Sequence, residues 1–295
     1  MITPDDIVKA IDSDVNQYAK DITPIQKALF NKVTIILKDL SVDAEGNIAM
    51  TASNLKILNK VNATLSGIVN DEKFQYIISD VKISLDDVEK NQTKYYKDIA
   101  DISAVPPVIN ELHKQAFEDT VENMTGAGIN ENVVKEAVDL VADHIKTGSS
   151  FIDMNEKLKD FMLGNKDVPG KLESYSKQII SDSLHQTART YNSIMSDKLQ
   201  LEFFQYVGAL SEDSRPLCKA LVKKQWLHKS EITMANLKRL ASEYAKKAPM
   251  QGVYPTTTKE TFVNDCGGYN CPHHCVPTPS EFVPAALRKK FEQKK

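Results

Sequence analysis

The sequence predicts a mainly α protein, with a helical N-terminal arm or bundle followed by a small α+β C-terminal domain. Three observations carry this. Apolar residues recur every three to four positions through most of the first 200 residues. Glycine and proline are scarce, 11 and 12 in 295 residues, and much of the proline falls in the last fifty, so helices come first and turns late. Near Phe203 the period changes to a short aromatic run closed by glycine.

The elements follow in order. Thr3-Pro4 is a helix start, a hydroxyl cap before proline at the first helical position, and Ile7, Ile11, Val15 and Tyr18 then share one face. Thr23-Pro24 repeats the signal ahead of Ile25, Leu29, Val33, Ile36 and Leu40. Residues 42–47 have turn composition, and Leu55, Leu58, Val61, Leu65 and Ile68 make the next stripe. A longer helix carries Phe74, Ile78, Val81, Leu85, Val88, Tyr95 and Ile99, with Gln92 as its single polar member, a rod of about 40 Å. Such stripes read as bundle core, and their narrowness also permits self-association through the N-terminal helices.

Ala104-Val105-Pro106-Pro107 marks a boundary, because a residue before proline leaves helical geometry. Three helices are expected next, stopping at Gly126, Gly148 and Gly164. Gly126-Ala127-Gly128 lacks the third glycine, strand and lysine of a phosphate loop and reads as a turn. After a second break at residues 164–170 comes a helix with Leu172, Tyr175, Ile179, Leu184, Ala188, Tyr191, Ile194 and Leu199. Phe203–Gly208 reads as a strand, residues 211–214 as a turn, Pro216 as the start of a short helix containing Cys218, and Glu231–Ala248 as another helix. The expected division is a helical arm or bundle at 1–104, a helical connector at 105–170, an α+β domain at 171–287 and a basic tail at 288–295.

A hydrophobic fraction of 41% and a charged fraction of 26% argue against wholesale disorder, and a net charge of −3 gives no whole-chain basic field for nucleic acid. The acidic N-terminus is not a secretory signal, and no apolar run approaches the roughly 20 residues a membrane helix needs. No nucleophile, metalloprotease or dinucleotide motif is present, so no catalytic residue is expected.

The informative chemistry lies late. Cys266, Cys271, His273, His274 and Cys275 fall within ten residues, and Cys218 is the remaining cysteine. Zinc takes four sulfur or nitrogen ligands, and both cysteine gaps can close a small chelate loop, with Cys218 pinning the segment to the domain. The other reading is a turn whose cysteines are small buried side chains. Asp213 and Arg215 flank a strand-to-helix corner, where the planar guanidinium suits backbone carbonyls.

Three segments stand in order: Tyr206-Val207-Gly208-Ala209-Leu210-Ser211-Glu212-Asp213-Ser214-Arg215-Pro216-Leu217-Cys218, a helical spacer, then Gly267-Gly268-Tyr269-Asn270-Cys271-Pro272-His273-His274. Together they resemble the C-terminal domain of Mu-F-type phage head morphogenesis (minor head) proteins. That domain has a strand, an acidic turn with Arg and a nearby Cys, and later a Gly-Gly-x-x-Cys-x-His element before a Val-Pro stretch. The preceding helix, with Ser181-Asp182-Ser183 and Arg189, resembles the helix leading into that strand. The resemblance covers roughly residues 172–284, and the pattern falls on Asp213, Arg215, Cys218, Gly268, Cys271 and His273. The sequence departs from it at Pro272, where the family has Arg, at Cys275, where an apolar residue is common, and at Cys266, which is extra.

The resemblance implies a minor structural protein of the virion head, made in the bacterial host cytoplasm. It would be associated with the portal or other head proteins and would act in head assembly or DNA delivery without turnover chemistry. Two alternatives come with it. Mu-F-like domains also carry toxin or effector activities. The basic tail, Arg288-Lys289-Lys290 and Lys294-Lys295, offers a weak DNA contact.

Overall fold

The computed structural model describes residues 1–102, 104–268 and 270–292. It is mainly helical, with one small antiparallel sheet in its C-terminal region. Helix α1 (Pro4–Leu37) starts where Thr3 and Asp6 cap each other: the Asp6 amide donates to Thr3 Oγ1 at 3.3 Å and the Thr3 amide to Asp6 Oδ2 at 2.9 Å. The helix start expected at Thr23-Pro24 is absent, and α1 runs straight through Pro24. Thr23 Oγ1 bonds back to the Ala19 carbonyl at 3.0 Å, so the hydroxyl serves the preceding turn instead of capping a new helix.

Helix α2 (Ala52–Ser66) buries Asn54, Ile57, Val61 and Leu65, whereas Leu55 is exposed. Asn54 sets this phase by accepting from the Ser41 amide at 2.9 Å and donating to the Ser41 and Ala49 carbonyls. The chain continues with α3 (Glu72–Ala100) and α4 (Val108–Thr125). The three-residue α5 (Ala127–Ile129) leads through a π-turn (Asn130–Val134) into α6 (Lys135–Thr147). Gly148, at φ +61°, closes α6 with its amide on the His144 and Ile145 carbonyls. Then follow α7 (Phe151–Leu163) and α8 (Lys171–Lys198).

Strand β1 (Phe203–Val207) comes next, then α9 (Pro216–Lys224), β2 (Trp226–His228) and α10 (Met234–Ala241). The last elements are α11 (Phe262–Asp265), β3 (His274–Thr278) and α12 (Ala285–Glu292). The helix expected from Glu231 is shorter and begins at Met234, because the Glu231 carboxylate is held by the His228 amide in a capping turn and Thr233 takes the cap of α10. The sheet order is β2-β1-β3, antiparallel throughout, with Phe204 opposite Leu227 and Pro277 and Tyr206 opposite Cys275. Pro277 is tolerated because β3 is an edge strand.

Two compact units divide the chain, and each is discontinuous. One comprises Met1–Asp14, Ile83–Ala116 and Ser181–Lys295; the other comprises Val15–Lys82 and Phe117–Ile180. The divisions fall inside α1, α3, α4 and α8 and not at the proline and glycine breaks of the sequence. Within the second unit α2 and α7 pack on α6, around Val61, Val141, Ile145 and Leu158, all fully buried. Within the first, Tyr96 stacks on Tyr191 and donates to Asn192 Oδ1 at 2.8 Å, while Tyr95 donates to the Pro277 carbonyl at 3.2 Å.

Arg288, Lys289 and Lys290 are part of α12, which is anchored by buried Phe291 against Phe203 and Val283. Lys294 and Lys295 lie outside the described residues. Among the described residues no helix is long and apolar enough to cross a membrane.

Candidate metal centre

Three elements bring the site together. β1 supplies Tyr206, α9 supplies Cys218 in its first turn, and the segment between α11 and β3 supplies Cys271 and His273. Arg215, just before α9, donates from Nη1 to the Gly267 carbonyl at 3.1 Å and so ties the strand-to-helix corner to the glycine pair 52 residues later. Gly268 sits at φ +90°, and a Cβ there would strike the Gly252 carbonyl, so both the conformation and the space require glycine. A Cβ on Gly267 would overlap the sulfurs of both Cys218 and Cys271, so this backbone lies directly over them. Asp213 is exposed in the turn before the corner.

Among the described residues, Cys218, Cys271 and His273 form the one group whose donor atoms all lie within 4.8 Å of one another and could hold a metal ion. Their geometry fits. The Cys218 and Cys271 sulfurs are 3.7 Å apart, and His273 Nδ1 is 3.5 Å from Cys271 Sγ. A tetrahedral ion with bonds of about 2.3 Å to sulfur and about 2.0 Å to nitrogen needs edges of about 3.8 and 3.5 Å. All three side chains are buried. The contact between the two thiols, with His273 and Arg189 nearby, holds the Cys271 thiol well below its usual range, while the same contact and burial push Cys218 up. Tyr206 stacks on His273 and donates to Cys218 Sγ at 3.6 Å.

The other three expected ligands stand apart from this group. Cys266 donates to the Val263 carbonyl at 3.4 Å. Cys275 lies opposite Tyr206 in the sheet, and burial pushes its thiol well above its usual range. His274 places Nε2 2.8 Å from His185 Nδ1, and burial, then His185 and Arg189, hold its pKa well down. Sequence reasoning carried Tyr206 and Gly267 only as members of the resembling segments and did not name Gly252; their roles are contacts across the fold. It placed Arg189 on the helix leading into β1 but could not name what that side chain meets, nor that His185 on the same helix meets His274.

A second polar group, His228 with Ser230 and Glu202, superficially suggests a nucleophile and base. His228 Nδ1 lies 2.8 Å from Ser230 Oγ but also accepts the Ser230 amide, and Glu202 is 4.0 Å from Nε2. This is the geometry of a cap on the turn at Lys229–Glu231, and the ring is packed by Phe203 and Phe291.

No protein-family model matches this sequence, no curated protein matches it, and no solved structure matches its fold.

Proposed function

We propose that this chain is a structural minor head protein of a tailed phage, associated with the portal and acting in head assembly or DNA delivery, and that its C-terminal region is pinned by one zinc ion. One observation supports the reading most. Of the six residues that carry the Mu-F resemblance, Cys218, Cys271 and His273 meet in one buried cluster, and Arg215 bonds to the Gly267 carbonyl next to Gly268, while Asp213 is exposed in the turn. Soft sulfur and imidazole donors with tetrahedral edges favour zinc over magnesium or calcium, which take oxygen. Three donor side chains at 2% exposure or less suit scaffolding better than turnover, which needs a substrate to reach the metal.

The reading has two separable tests. Purified full-length protein, prepared without chelator, is expected to contain about one zinc per chain by elemental analysis; metal-free protein would remove the zinc. Particles of the phage that carries the gene are expected to contain the chain in few copies and to lose packaged DNA or infectivity when the gene is deleted. Normal, DNA-filled and infectious particles without the chain would sink the head assignment.

A further inference from the structure

We propose that Cys266 is the fourth ligand of the metal site, and that Arg189 is the counter-ion of the resulting three-thiolate, one-imidazole centre. This rests on the zinc reading above and extends it to residues that the Cys218, Cys271 and His273 group leaves out.

Arg189 gives the first reason. Its guanidinium is buried at 2% exposure, and its acceptors are neutral: the Cys271 carbonyl at 3.2 Å and Gln186 Oε1 at 3.0 Å. Its Nε has no acceptor, and among the described residues no carboxylate pairs with it. A buried cation needs an anion nearby, because burial without one strips its hydration uncompensated. A divalent ion held by two thiolates and a neutral imidazole has no net charge and cannot serve. With three thiolates the centre carries one negative charge, which a single guanidinium balances.

The backbone gives the second reason. Closed zinc sites use four protein ligands, and three are in place. The chain at Gly267 lies directly over both sulfurs, and its neighbour Cys266 packs in the same buried cluster as Cys218 and Cys271. Cys266 is a non-glycine residue at φ +46°, a conformation that persists only where surroundings impose it. It is fully buried, and its thiol makes one weak bond, to the Val263 carbonyl, which a turn about the Cα–Cβ bond exchanges for the metal. Cys275 and His274 are weaker choices: Cys275 is held within β3 opposite Tyr206, and His274 is engaged by His185.

The test uses the full chain loaded with zinc. X-ray absorption at the zinc edge is expected to give three sulfurs at about 2.3 Å and one nitrogen at about 2.0 Å. Cys266→Ser should lower the sulfur count to two and weaken zinc binding at least tenfold, while Cys275→Ser leaves both unchanged. Arg189→Gln should weaken zinc binding at least tenfold, with partial rescue by Arg189→Lys, since the lysine keeps the charge. Two sulfurs in the wild type, or a Cys266→Ser variant that binds zinc as tightly as the wild type, would overturn the assignment while the zinc reading stands. Protein that takes up no zinc at all would overturn both. If Cys266→Ser fails to fold, a Cys275→Ser variant that keeps three sulfurs still assigns the third to Cys266, and one that drops to two overturns it.

Discussion

The packing of α2, α6 and α7 and the packing around β1 and β3 are built on opposite principles. In the first, Val61, Val141, Ile145, Met154 and Leu158 are at 0% exposure and carry no polar atom that needs a partner except the methionine sulfur. Apolar burial is its main support, at roughly 25 cal/mol per Å², with Asn54 on α2 and the His144–Asp153 contact between α6 and α7 added at its edge. In the second, four cysteines, His185, His273, His274 and Arg189 are all buried at 2% exposure or less. Polar groups there are left without acceptors or donors, among them His273 Nε2, His274 Nδ1 and Arg189 Nε. A core of that kind depends on something beyond its own apolar surface; the zinc proposed above on Cys218, Cys271 and His273 would supply it. The apolar region should therefore be indifferent to metal, and the sheet region should not.

The strongest way to break this contrast is to remove the zinc proposed above. Structural zinc contributes on the order of 10 kcal/mol in small zinc domains. The single tryptophan, Trp226 on β2, packs with Phe203, Val283 and Phe291 and reports on the sheet region alone. A strong chelator is expected to shift Trp226 emission to the red and lower its unfolding midpoint, while most of the helical circular dichroism persists. Identical Trp226 melting with and without chelator would show that the buried thiols and imidazoles hold themselves together.

The converse change is Leu158→Ala on α7. Removing a fully buried leucine costs about 2–5 kcal/mol through lost transfer energy and the cavity left behind. Helical stability should fall by that amount in denaturant, with zinc content and native Trp226 emission unchanged. Zinc loss in this variant would mean that the metal site shares its stability with the apolar core and that the contrast is false.

The two regions were also unequally legible in sequence. Ile7, Ile11, Val15 and Tyr18, or Phe74, Ile78, Val81 and Leu85, repeat at the helical period, and each of these residues is buried. Local periodicity suffices there because a helix chooses its face residue by residue. It failed at Thr23-Pro24, where back-bonding to Ala19 outweighed a local start signal, and at Leu55, where Asn54 took the inward position. In the sheet region the density of ligands from Cys266 to Cys275 was visible, but which of them meet was not. That selection depends on Gly267 closing over two sulfurs and on His185 claiming His274, contacts spanning tens of residues that leave no periodic trace. Strand β2 was equally silent, since three residues are too few to show a period.

The smallest expected effect separates the electrostatics of the sheet region from its metal. Glu231 accepts from the His228 amide at 3.2 Å and faces Lys224 at 3.2 Å and Lys290 at 3.5 Å. Burial is the largest single influence on its carboxyl and raises the pKa; the His228 amide and the two lysines together outweigh it, so the folded pKa lies below the ordinary 4.5. A depressed folded pKa contributes stability that is present above the unfolded value and disappears as pH falls through the folded one. Glu231→Gln keeps an acceptor for the His228 amide and removes only the charge. Because the group is partly solvated, the variant should lose under about 1 kcal/mol near pH 7. Denaturation followed by Trp226 should show that the gap between wild type and variant closes as pH drops below about 4.5, when the wild-type carboxyl is protonated too. Zinc content should be the same in both proteins at neutral pH. A gap that persists at low pH would trace the loss to packing, and a variant that sheds zinc would make the Glu231 turn part of the metal-dependent core instead of its neighbour.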